Sequence, residues 1–256
     1  MEIIKVKSSE YTEKNTNSRS ECNIVKFCFS DLSKNLKYQL DTEANNLVNR
    51  ANPNSASEGK ERSLIQRKND AFAGLLAEYA VLCVLNFFLP NSAERPIVNN
   101  SKDQIDIEWR VPDDIKYNIE VRSSFVKNGL LFGLFGYNPE DNASYFDVIG
   151  PYRQDNYKKN YESVKDWFFR VLFVGKKMDV YNRFIKNNES FYIIGAMSGN
   201  EIININKHKT LKPGSAIQKS SDFSGDYFVA PIDKIKDINQ FIEKFSLINK
   251  RMVSLD

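Results

Sequence analysis

Apolar residues recur at steps of three and four through Leu64, Phe72, Leu75, Leu76, Tyr79, Leu82, Cys83 and Phe87. This spacing predicts a helix over residues 61–89, which Pro90 ends. Gly74 in its middle costs about 1 kcal/mol of helix propensity relative to Ala, so a close backbone contact is expected there. Past the loop Asn91–Pro96 the period drops to two. Gln104–Trp109 and Tyr117–Arg122 alternate as strands, and Val111-Pro112-Asp113-Asp114 between them reads as a turn, so the pair predicts a hairpin. Further strands are expected at Tyr145–Ile149, Arg170–Val174, Phe191–Gly195 and Tyr227–Ala230, with helices over 178–186 and 232–249. Upstream, Ile3–Val6 and Asn23–Phe29 read as short strands. Ser30-Asp31 then caps a helix that Asn52-Pro53-Asn54 ends. The order predicts an α/β (α+β) fold, a central mixed sheet flanked by helices. Residues 1–60 form a strand-and-helix extension packed on or linked to a main domain over 61–256, with the polar run 52–61 as the linker.

Composition narrows the chemistry. The 256 residues carry 36 Lys and Arg against 33 Asp and Glu, a net charge of +3. Binding nucleic acid therefore needs a local basic face rather than overall charge. The single histidine, His208, excludes His-rich zinc sites and paired-His phosphodiester chemistry. Its setting, Asn206-Lys207-His208-Lys209, reads as a basic loop. Cys22, Cys28 and Cys83 have neither metal-site spacing nor a disulfide framework, which predicts a reducing cytoplasm. The N-terminus lacks the apolar core of a signal peptide. The most apolar run, 71–89, holds Glu78 and Asn86, so no membrane span is expected.

If the chain is an enzyme, its chemistry is expected to run on carboxylates with Lys or Arg. Asp106 lies in the first hairpin strand and Glu120 in the second, so the pairing brings them side by side. Glu78 interrupts the apolar face of the long helix. Carboxylates crowded in apolar surroundings must protonate, borrow a cation or bind a metal. An oxygen-only set favours Mg²⁺ or Mn²⁺. Arg122, two residues after Glu120, shares its strand face. It would stabilise charge on a phosphate.

Asp106, then Glu120-Val121-Arg122 and Ser123-Ser124, together with Gly74-Leu75-Leu76-Ala77-Glu78 upstream, resemble the core motifs of the PD-(D/E)xK nuclease superfamily. The motif part covers roughly residues 61–150. The resemblance implies a restriction-endonuclease-like core and Mg²⁺-dependent endodeoxyribonuclease activity, with Mn²⁺ as a substitute. It implies Asp106 and Glu120 as metal ligands, Glu78 as a further ligand or water-orienting acid, and Arg122 in the catalytic cation position. A chain of this length resembles a type II restriction endonuclease, which implies a homodimer on double-stranded DNA. Two departures are visible: Ile105 replaces the motif's Pro, and Arg122 replaces its Lys. Arginine keeps the charge but cannot act as a base. The alternative is thus a catalytically impaired DNA-binding or assembly protein of the same fold. Ser123, Ser124, Lys127, Arg153, Lys158, Lys159, Lys207, Lys209 and Lys212 are the expected DNA contacts; singly, each basic pair reads as solvated surface. Glu78 has its own plainer reading, an ion pair with Arg67 or Arg122.

Overall fold

The computed structural model describes residues 1–8, 20–50, 63–96, 105–135, 146–152, 163–177, 179–206 and 227–245. Strands β1 (Glu2–Lys7) and β2 (Glu21–Phe27) precede helices α1 (Lys34–Arg50) and α2 (Leu64–Phe88). Then come β3 (Ala93–Glu94), β4 (Ile107–Val111), β5 (Ile115–Val126), α3 (Gly129–Phe135) and β6 (Phe146–Tyr152). β7 (Trp167–Val174), a π-helical turn over Tyr181–Lys186, β8 (Phe191–Ser198) and α4 (Gly199–Asn206) follow. The described chain closes with β9 (Tyr227–Pro231), β10 (Lys236–Asp237) and α5 (Ile238–Lys244).

One sheet runs in the order β1-β2-β8-β7-β5-β4-β3, with β10 beside β8. It is mixed: β5 and β7 are parallel, whereas β4 pairs antiparallel with β5 and β8 antiparallel with β7. The expected α+β architecture, a mixed sheet flanked by helices, is therefore what forms. β2 pairs directly with β8, so the first strands belong to this same sheet. β6 and β9 make a separate two-stranded ladder.

The centre of the sheet is covered on both faces, and the residues of β7 show it. Trp167, Phe169, Val171 and Phe173 enter the core under α1, α2 and α5. The alternate residues Phe168 and Leu172 pack on the other side, the first with Ile202 of α4 and Ala230 of β9, the second with Leu134 and Phe135 of α3. A strand buried on both faces reads as a continuous apolar run, and WFFRVLFV does so except at Arg170. Arg170 and its partner Asp147 on β6 are each 1% exposed. Arg170 also donates to the Gly133 carbonyl at 2.6 Å, and Ser124 donates to Asp147 at 3.0 Å.

α2 begins at a capping box, in which the Ser63 hydroxyl accepts from the Gln66 amide and the Gln66 side chain returns to Ser63. It is long and apolar enough to cross a membrane, but here its residues Phe72 to Leu85 form the middle of the core. Three expectations need correction. A Cβ on Gly74 would meet nothing within 4 Å, so no close contact explains that glycine. The helix expected over 232–249 is split: a 3₁₀ turn at Ile232–Lys234, β10, then α5 from the Asp237 cap onward. Asp237 ends the strand pairing because its carboxylate accepts from the Gln240 amide at 2.9 Å and starts the helix instead. Asp106 lies immediately ahead of β4 rather than inside it.

Candidate functional site

The hairpin β4–β5 builds the site by being unequal. β4 starts at Ile107, opposite Ile119, while β5 continues to Val126. Beyond Glu120, β5 therefore has no strand partner on its β4 side among the described residues. Asp106 sits at this opening. Its amide donates to the Ile119 carbonyl at 3.2 Å, and its Oδ2 accepts from the Val121 amide at 2.8 Å. A side-chain oxygen thus satisfies the amide that the short strand leaves behind, and Asp106 is only 7% exposed. Continuing the ladder by one residue sets Asp106 opposite Glu120.

Alternation along β5 separates two roles. Ile119 and Val121 pack into the core under the helices, so Glu120 and Arg122 project to the opposite face. Arg122 Nη2 lies 3.3 Å from Glu120 Oε1, with side chains 22% and 16% exposed. Glu78 of α2 stands near enough for its charge to act on Asp106 and for that of Glu120 to act on it. Burial raises the Glu78 pKa to about 7, and the nearby Glu120 and Glu43 charges add to that rise against the lowering effect of Arg95. Burial raises Asp106 to about 7 as well, helped by Glu78 and opposed by the Val121 amide, Arg122 and Arg95. The three acids therefore share one electrostatic neighbourhood.

Sequence reasoning missed the residue that pairs with Glu78. It is Arg95, just past β3, rather than Arg67 or Arg122: Arg95 Nη2 stands 2.6 Å from Glu78 Oε2. The other terminal nitrogen of Arg95 pairs with Glu43 on α1. Its guanidinium lies 4.7 Å from the centre of the Tyr79 ring, and the Tyr79 hydroxyl donates to Glu43 at 2.8 Å. Burial and the Glu43 bond push the Tyr79 hydroxyl up to about 12, which keeps it a donor. The Nε of Arg95 is buried without a hydrogen-bond partner. Only the arginine's place in the loop Asn91–Pro96 was visible in the sequence, and a loop arginine carries no signal of its own.

The other expected site residues divide. Ser124 is engaged by the buried Asp147, Ser123 projects from the opposite face of β5, and Lys127 is exposed in the turn before α3. Glu108, two positions from Asp106 and so a conceivable auxiliary acid by strand spacing, pairs instead with Lys116 at 2.6 Å. Arg153, Lys158, Lys159, Lys207, Lys209, Lys212 and His208 lie outside the described residues.

The donor chemistry of Glu78, Asp106 and Glu120, oxygen only and short of positive charge, fits a hard divalent cation. Arg95 holds Glu78, Arg122 holds Glu120 and the Val121 amide holds Asp106; among the described residues no three Asp, Glu, His or Cys side chains are gathered as a ready metal cage. A cation would have to draw these carboxylates together in competition with Arg95 and Arg122.

No protein family model matches the chain, and no solved structure matches it. An uncharacterized protein of Methanocaldococcus jannaschii is 25% identical over 252 residues, spanning 81% of this chain and 84% of that protein. The similarity extends over most of both chains and carries no activity with it.

Proposed function

We propose that the protein is a Mg²⁺-dependent endodeoxyribonuclease of the PD-(D/E)xK type, acting on double-stranded DNA as a cytoplasmic, homodimeric restriction endonuclease. The observation that supports this reading is Asp106 standing opposite Glu120 at the opening of the hairpin, with Arg122 3.3 Å from Glu120 and the Glu78 charge close by. Arginines answer Glu78 and Glu120, but Asp106 is bonded to a neutral amide, and a buried carboxylate so held opposes folding.

Asp106 and Glu120 would hold the divalent ion with Glu78 beside them; once bound, it would polarise water and a phosphate oxygen. The protein's own residues supply the rest. The Val121 amide fixes the Asp106 carboxylate. Arg122 presents its guanidinium on the Glu120 face, where it would hold a phosphate oxygen and stabilise charge developing on phosphorus. Since arginine stays protonated, Arg122 acts as a fixed cation and not as a proton acceptor.

The test is supercoiled plasmid incubated with Mg²⁺, with Mn²⁺ and with EDTA, for the wild type and Glu120→Ala. Metal-dependent nicking that the variant loses supports the proposal; equal nicking by both, or none by either under any metal, refutes it. The Arg122–Glu120 ion pair favours one second reading, a DNA-binding or assembly protein in which the arginine has closed the site. It predicts DNA retention in a gel shift with no cleavage.

A further inference from the structure

The Glu43–Arg95–Glu78 bridge runs from the surface into the acid cluster: the side chains are 42%, 21% and 14% exposed in that order. Its inner end is an acid already assigned to the proposed metal group, and its outer end belongs to α1. Two carboxylates and an aromatic face hold one guanidinium, a stronger grip than a surface ion pair supplies. The same carboxylate of Glu78 cannot give its charge fully to Arg95 and to a divalent ion at once.

We infer that Arg95 is a resident counter-cation of the acid cluster, held by Glu43 and Tyr79, and that it competes with divalent metal for Glu78. This rests on the proposed metal-dependent reading and deepens it. In the metal-free protein Arg95 compensates Glu78 and links α1 to α2 through Glu43. Metal entry must weaken the Arg95–Glu78 contact, so Arg95 is a positioning residue that holds metal affinity down. Glu43 acts through it from outside the cluster. The bridge also explains why the three acids do not stand as a preformed cage although their charges act on one another.

The competition gives opposite signs for two substitutions, which general damage to the fold would not. Mn²⁺ binding to the full chain is followed by loss of the free-ion electron paramagnetic resonance signal, without DNA. Arg95→Gln is expected to tighten Mn²⁺ binding about tenfold, the equivalent of about 1.4 kcal/mol. Glu43→Gln, on the more exposed side, leaves Arg95 leaning on Glu78 alone and is expected to weaken binding about threefold. Thermal melts with EDTA and with Mg²⁺ supply a second readout: Arg95→Gln lowers the metal-free midpoint but gains more from Mg²⁺ than the wild type does. Unchanged or weaker Mn²⁺ binding by Arg95→Gln overturns the inference while leaving a metal-binding, DNA-cleaving wild type intact. Should Arg95→Gln fail to fold, Glu43→Gln decides alone, and unchanged affinity overturns the competition. A wild type that binds no Mn²⁺ at millimolar concentration overturns both readings together.

Discussion

Asp106→Asn isolates what the acid cluster costs the fold. The wild-type carboxyl titrates near 7 in the folded protein against the ordinary 3.8, because it is buried and faces Glu78. The difference is about three pH units, and each is worth about 1.4 kcal/mol, so ionised Asp106 opposes folding by up to ~4 kcal/mol. Exposure of only 7% leaves little solvent screening to reduce that figure, although shared titration with Glu78 spreads it over both acids. The sign follows from proton counts. Between pH 4 and 7 the folded state holds the proton and the unfolded state has lost it, so stability falls as pH rises through that window. Asparagine keeps an oxygen to accept from Val121 and carries no charge. Asp106→Asn is therefore expected to be more stable than the wild type by ~2–4 kcal/mol at pH 8. The gain should shrink below pH 7 and vanish near pH 4. Urea unfolding in EDTA at pH 5 and pH 8, followed by tryptophan fluorescence, measures it, since Trp109 and Trp167 are both buried in the core. A variant less stable than the wild type at pH 8, or a gain that does not diminish on acidification, refutes the assignment of Asp106 as a buried acid whose charge opposes folding.

Four further outcomes follow from the same geometry. On the proposed reading, Arg122→Lys keeps a cation on the Glu120 face and should retain plasmid cleavage, whereas Arg122→Ala should lower the rate about a hundredfold in a timed nicking assay. Asp147→Asn strips Arg170 of its only described counter-charge at a site 1% exposed, and should cost about 3–5 kcal/mol in denaturant unfolding. Gly195→Ala should destabilise by on the order of 3 kcal/mol in the same experiment. There φ is +145°, and a Cβ would stand 2.0 Å from the Lys236 carbonyl oxygen, where β10 crosses close to β8. Gly74→Ala enters open space on α2 and should raise stability by about 0.5–1 kcal/mol, visible as a higher melting temperature.

The legible parts of the fold were those whose signal is local. The three-and-four spacing over α2 and the alternation flanking Pro112–Asp114 are properties of a dozen neighbouring residues; α2 and the hairpin both formed, with β4 starting at Ile107, three residues later than the alternation sets it. β3 and β10 have only two residues each, too few for any period, and exist because β4 and β8 offer them an open edge. α3, with the sequence GLLFGLF, is apolar on every side and has glycine within it, so it shows neither helical stripe nor good propensity; packing against Leu172 and Val126 makes it a helix. The acids of the candidate site could be picked out because each breaks an apolar pattern. Arg95 and Glu43 could not, since their partners lie 17 and 52 positions away and neither interrupts anything locally. What the sequence leaves unsaid about the site is thus its second guanidinium, Arg95.

The most direct test of the account is diffraction from crystals of the full chain soaked in Mn²⁺, with anomalous data collected to locate the ion. The account predicts a peak about 2.1 Å from carboxylate oxygens of both Asp106 and Glu120, absent when the same soak is made with Glu120→Ala. Ordered manganese bound elsewhere, with Glu120 still held by Arg122, Glu78 by Arg95 and Asp106 by the Val121 amide, would contradict it.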